Sequence, residues 1–167
     1  MNVLHWCFTQ KKGLKLIEPN TNLAEAYLKK SEEAIETMTE ISNKGWKITT
    51  AYYAMYFSLY SILQRIGIKS EIHRCTIRFA QSYLKDYFTD EELNFLEQAM
   101  EQRIENQYYT NPQINQEFYI QVVNIIPKFF VKCKSIICRI TDQDIKNIRD
   151  IIKNNMKNNT RDSKNKS

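Results

Sequence analysis

The sequence predicts an all-α protein: an up-down bundle of four to five core helices with a basic helix added at its C-terminal end. Three observations point there. Apolar residues recur at steps of three and four along most of the chain. No segment alternates cleanly between apolar and polar, as a half-buried strand does. Only three Gly and three Pro punctuate 167 residues, too few for an all-β protein full of tight turns. The length suits one domain with one sizeable core. A 43% hydrophobic and 26% charged composition is ordinary for a globular chain.

The first twenty residues read as irregular and end in Glu18-Pro19-Asn20-Thr21-Asn22, a turn and an N-cap. The first predicted helix covers 23–42, with Leu23, Ala26, Tyr27, Ala34 and Ile41 on its inner side. Asn43-Lys44-Gly45 closes it, with Gly45 as the residue just past the end. The second predicted helix covers 46–66. Ile48, Tyr52, Met55, Leu59, Ile62 and Ile66 make its stripe, and Tyr53, Tyr56 and Tyr60 widen it. So apolar a helix belongs at the centre, and Gly67 ends it.

The third predicted helix covers 72–87, with Ile77, Ala80, Leu84 and Tyr87 inward. Thr89-Asp90-Glu91-Glu92 is a capping box that starts the fourth, 90–109, with Leu93, Leu96, Met100 and Ile104 inward. Asn111-Pro112 breaks it. The fifth covers 114–139 and contains Pro127, which predicts a kink or a division into two. Thr141 with Asp144 forms a further N-cap, and the sixth helix covers 142–157. The organisation is then a bundle with its N-terminal extension over 1–140, a basic amphipathic helix over 141–157, and a polar, disordered tail over 158–167.

Composition also excludes functions. The scarcity of Gly argues against a Gly-rich phosphate loop. The N-terminus has no long apolar core and no small-residue cleavage site. The most apolar stretch, Ala51 to Leu63, is too short for a bilayer, which needs about 20 residues. The expectation is a cytoplasmic protein with no membrane partner. In that setting Cys7, Cys75, Cys133 and Cys138 read as buried thiols rather than a disulfide framework. His5-Trp6-Cys7 and His73-Arg74-Cys75 lack the ligand spacing of structural zinc sites, so no metal and no cofactor is expected.

The net charge of +5 is unevenly spread. Residues 128–167 carry eleven basic and four acidic residues, whereas the rest of the chain is slightly acidic. On the sixth helix Lys146, Arg149, Lys153 and Lys157 share a face, opposite Ile145, Ile148, Ile151 and Ile152. That face attracts nucleic acid or an acidic partner, or is a solvated surface.

Three stretches carry a family likeness. Ile48 to Leu63, ITTAYYAMYFSLYSIL, resembles the AYYAxFxxxxxLL helix of prokaryotic HEPN-domain proteins. Gly67-Ile68 and Glu71-Ile72-His73-Arg74-Cys75-Thr76-Ile77 are similar to that family's Gly-Ile and Thr-His-x-x-x-Ile region. Arg103-Ile104-Glu105-Asn106-Gln107-Tyr108 resembles its R-x-x-A-D-Y signature. The likeness spans 21–138. It implies an up-down bundle, often dimeric, frequently paired with a minimal nucleotidyltransferase in toxin–antitoxin systems. Many members are metal-independent ribonucleases whose site is an Arg followed a few residues later by a His, completed across a dimer.

This chain departs from that pattern. No His follows Arg103, and Tyr108 stands where one could sit; the histidines are His5 and His73. An imidazole exchanges protons near neutral pH, whereas a phenol with a pKa of about 10 does so poorly. Catalytic candidates are therefore reduced to Arg103, Tyr108 and His73. The expected role is a nucleotide- or RNA-binding member of a regulatory pair, with Arg103, Asn106, Tyr108 and His73 as its phosphate site. The alternatives are a metal-independent ribonuclease and a structural dimerisation module. From the residues alone, Arg103 suits either an anion or an ion pair with a neighbouring carboxylate, and His73 either the same site or a local cap.

Overall fold

The computed structural model describes residues 3–109 and 113–164, with side chains through residue 156. Among them the elements are α1 (Val3–Thr9), β1 (Lys15–Leu16), α2 (Thr21–Glu40), α3 (Lys44–Ile66), β2 (Ile68–Lys69), α4 (His73–Tyr83), α5 (Asp90–Tyr108), α6 (Gln116–Arg139) and α7 (Asp142–Lys164). The all-α reading holds. The two short strands form one antiparallel pair, Lys15 opposite Lys69 and Leu16 opposite Ile68.

Helix α3 is the axis. Its Ile48, Tyr52, Met55, Leu59, Ile62 and Ile66 are at most 1% exposed, as the stripe predicts. Helices α2, α5 and α6 pack around it. Burial of this apolar stripe is the main stabilisation of the bundle. The crossing with α2 is polar at its centre. Ser31 is fully buried, and its Oγ lies 2.7 Å from both the Ala54 carbonyl, to which it donates, and Ser58 Oγ. A small residue there lets the two backbones approach.

Several expectations are corrected. On α2 the buried residues are Ala24, Ser31 and Met38, whereas Leu23 is 38% exposed and Ala26 faces solvent. The inward face is rotated because Ser31 sits on it, and a polarity count hides that. Gly45 does not close a helix. It lies in the first turn of α3, whose N-cap is Asn43, accepting from the Trp46 N–H. On α5, Leu93, Leu96 and Met100 are buried but Ile104 is 38% exposed. Helix α4 stops at Tyr83, so Tyr87 lies in the loop beyond it. Helix α6 is one helix through Pro127, because that residue is on the solvent side, where the lost hydrogen bond is cheap.

Other punctuation is as read. Asn20 caps α2 through the Leu23 N–H, and Gly67 ends α3 in the left-handed region at φ 83°. Thr89 and Glu92 form the reciprocal capping box of α5. Thr141 and Asp144 exchange the same pair of bonds at the start of α7. The Asn111-Pro112 break lies outside the described residues. Helix α7 continues past residue 157 to Lys164, and 165–167 of the expected tail lie outside the described residues.

The N-terminal segment is not irregular. Helix α1 packs on α4, Leu14 N–H donates to the Cys7 carbonyl, and Glu71 N–H donates to the Lys12 carbonyl. This pairing carries Cys7 to Cys75, and the two form a disulfide. The reading of four unpaired thiols is thus corrected. Spacing along the chain could not reveal a pair separated by 68 residues. Cys133 is a buried free thiol and Cys138 an exposed one. Among the described residues no helix is long and apolar enough to cross a membrane.

Candidate functional site

Three helices meet where α3 presents Tyr52, Tyr53 and Tyr56, α4 begins at His73, and α5 presents Arg103. Tyr52 and Tyr56 are one helical turn apart, so their rings lie side by side on α3. His73 stacks on Tyr56 with centroids 4.0 Å apart and planes 10° apart. It also stacks on Tyr52 at 5.7 Å and meets the edge of Tyr53 at 6.1 Å. The Tyr52 hydroxyl lies 2.6 Å from His73 Nδ1.

Arg103 enters the same group of rings. Its Nη2 donates to the Tyr53 hydroxyl at 2.7 Å. Its Cζ lies 5.3 Å from the Tyr53 centroid and 6.0 Å from that of Tyr52, within cation–π range. Its Nε is buried and without a hydrogen-bond partner among the described residues. No carboxylate among them pairs with it, although the other ion pairs of the molecule include Arg78 with Glu97 and Arg65 with Asp142. A half-buried guanidinium held by aromatic rings and a phenol, and not by an acid, keeps its charge available to an anion.

The electrostatics follow. Burial, and next the positive charge of Arg103, push the His73 imidazole down to about 4, so it is neutral at pH 7. Burial first, and the neighbouring Tyr56 next, hold the Tyr52 phenol well above its ordinary range; Tyr56 is raised chiefly by burial too. Both phenols are therefore donors rather than bases at neutral pH.

Asn106, one turn beyond Arg103, donates from Nδ2 to the Gln102 carbonyl. Its Oδ1 is buried, without a partner among the described residues, and faces Gly45. A Cβ at position 45 would stand 3.0 Å from that oxygen, so the glycine there allows α5 to approach α3 closely. Thr49 Oγ1 is also buried and unpartnered, and its spacing from Gly45 and Tyr53 puts all three on one side of α3.

The other candidates lie elsewhere. Tyr108 is 74% exposed and joins none of these contacts. The grouping of Arg103 with His73 is found, while Tyr108 stands apart because it falls on the solvent side of α5. On α7, Arg149 does not face solvent as a phosphate contact. Its Nη1 donates to the carbonyls of Ile17, Ile66 and Gly67 at 2.8–3.0 Å. It caps the C-terminal end of α3, and its role is corrected to a structural one. Lys146 is exposed, Lys153 pairs with Asp150 at 3.8 Å, and the Lys157 side chain lies outside the described residues. Lys146 and Lys153 line a cleft of about 280 Å³ together with Arg65 and Arg149, and the acids Glu18, Asp142 and Asp150 offset only part of that positive charge.

Sequence reasoning places Tyr52, Tyr53 and Tyr56 in the core stripe, with base stacking as the lesser alternative, and does not group them with Arg103 and His73. Their signal was available: phenols on an inward stripe need hydrogen-bond partners, and His73 and Arg103 supply two of them. Among the described residues, no three His, Cys, Asp or Glu side chains are grouped to hold a metal ion. No family model and no curated protein matches the chain.

Proposed function

We propose that this chain is a HEPN-like bundle that binds a phosphate group of a nucleotide or RNA at Arg103, beside Tyr53 and His73. The observation that carries the reading is a half-buried guanidinium with no carboxylate partner among the described residues, beside a neutral imidazole. Burying a charge without a counter-ion costs free energy, and a bound anion offsets that cost. Asn106 lies one turn along α5, with its amide against the Gln102 carbonyl and Gly45. Lys146, Lys153 and Lys157 add attraction that ignores sequence. The role is that of a nucleotide- or RNA-binding member of a toxin–antitoxin-type or regulatory pair, with a nucleotidyltransferase as partner and with a second copy of itself.

The test is binding of a short single-stranded RNA and of ATP to the wild type and to Arg103→Ala. The reading expects Arg103→Ala to weaken binding by about tenfold or more, near 1.4 kcal/mol, and Arg103→Lys to recover part of it. It also expects affinity to fall as salt rises. Equal affinity of wild type and Arg103→Ala would leave only a structural module.

The second reading, a metal-independent ribonuclease, is favoured by a guanidinium able to stabilise a phosphorane. RNA cleavage that survives EDTA and disappears in Arg103→Ala would establish it.

A further inference from the structure

Tyr52 is fully buried, and among the described residues its hydroxyl makes one hydrogen bond, to His73 Nδ1 at 2.6 Å. A phenol has one hydrogen to donate, and burying it without an acceptor is costly. Nδ1 is the acceptor within reach. If Nδ1 accepts, it carries a lone pair, and a neutral imidazole then has its hydrogen on Nε2. The reverse assignment, Nδ1–H donating to the phenol oxygen, strands the phenol hydrogen. The ring cannot easily turn away, because it is stacked on Tyr56 and set against the edge of Tyr53. Nε2 itself makes no hydrogen bond with the described residues.

The geometry points to Tyr52 as a positioning residue that fixes His73 with its hydrogen on Nε2, so that His73 donates to the anion held by Arg103 and does not act as its general base. The ligand half of this rests on the anion reading above; the tautomer half rests on the Tyr52–His73 bond alone. The groups facing His73 are Tyr52, Tyr53 and Tyr56 from α3 and Arg103 from α5, and no carboxylate among the described residues pairs with it. Nothing there favours adding a proton: protonated Nδ1 would compete with the phenol hydrogen, and Arg103 repels a second positive charge. The site therefore keeps one fixed cation and one neutral donor throughout the neutral range. A ribonuclease built on these residues would need a base other than His73.

The experiment is nitrogen NMR of the full chain with labelled histidine rings, with His5 assigned by His5→Gln. At pH 7 the His73 spectrum is expected to show a protonated Nε2 and an unprotonated Nδ1. Added inorganic phosphate, and separately dimethyl phosphate, is expected to shift the Nε2 signal. Tyr52→Phe, which keeps the ring and removes the hydroxyl, is expected to replace the single tautomer by a mixture. A wild-type His73 with its hydrogen on Nδ1 overturns the inference, as does a tautomer unchanged in Tyr52→Phe. If that variant does not fold, the wild-type spectrum still decides. The expected tautomer with no response to either phosphate supports the role of Tyr52 and sinks the anion reading, so the two fail separately.

Discussion

Arg149 and Gly67 make one device. The guanidinium reaches three carbonyls because Gly67 turns the chain in the left-handed region just past α3. A Cβ at position 67 would run into Arg149 Nη1 and the Ile17 carbonyl. Hydrogen bonds from a charged donor are each worth about 1.5–3 kcal/mol, and losing the donor leaves its acceptors poorly satisfied. Arg149→Ala is therefore expected to destabilise the fold by about 2–3 kcal/mol, read as a lower denaturation midpoint. An unchanged midpoint would mean that the carbonyls are equally well served by water. At His73 the sign of the pH dependence is fixed by the downward shift. The unfolded chain takes up the proton first, near 6.5, and the folded chain only near 4. Stability from this group is full above about 6.5 and declines as pH falls towards 4. Denaturation midpoints across that window should fall in the wild type and be flatter in His73→Asn; parallel curves would contradict the burial of the ring.

At the scale of elements, α1 matters more than its seven residues suggest. The disulfide fixes it to α4, the helix that begins with His73. In the chain-entropy treatment, closing a loop of this size is worth about 4 kcal/mol. Cys7→Ser with Cys75→Ser is expected to cost an amount of that order, and a dithiol reductant to reproduce it. An oxidised protein no more stable than the double variant would show that the bond does not constrain the unfolded chain. Element positions were largely legible where local chemistry decides them: Asn20, Gly67, and the Thr89–Glu92 box each satisfy backbone groups within a few residues. The stripe of α3 was legible because α2, α5 and α6 all pack against it. The faces of α2 and α5 were less so. Ser31 is inward because two helices cross there, and Ile104 outward because α5 is covered on one side only. Neither depends on the residue itself. The strand pair and the disulfide are long-range pairings that no local pattern encodes.

For the whole molecule, the site is the place where sequence spacing and packing had to be combined. Arg103 and His73 could be named from the sequence, but their meeting depends on the tilt of α4 and α5 against the tyrosines of α3. The basic C-terminal segment is likewise divided by the fold: Arg149 serves the bundle, while Lys146 remains on the surface. Some apolar residues are left outside the core. Ile104 and Tyr108 are one turn apart on α5 at 38% and 74% exposure, and Trp46 on α3 is 58% exposed. A homodimer seam of that kind predicts that Ile104→Glu with Tyr108→Glu yields monomers by sedimentation while leaving helicity intact. A wild type that is already monomeric would dismiss the seam.

The proposed role of the Arg103 guanidinium is to hold an anion. Calorimetric titration of a short single-stranded RNA into wild type and Arg103→Ala, both shown to be folded, tests it most directly. Measurable binding by the wild type is expected, with an affinity lower by about tenfold or more in the variant; equal heats and equal affinities in the two proteins would rule out an anion site at Arg103.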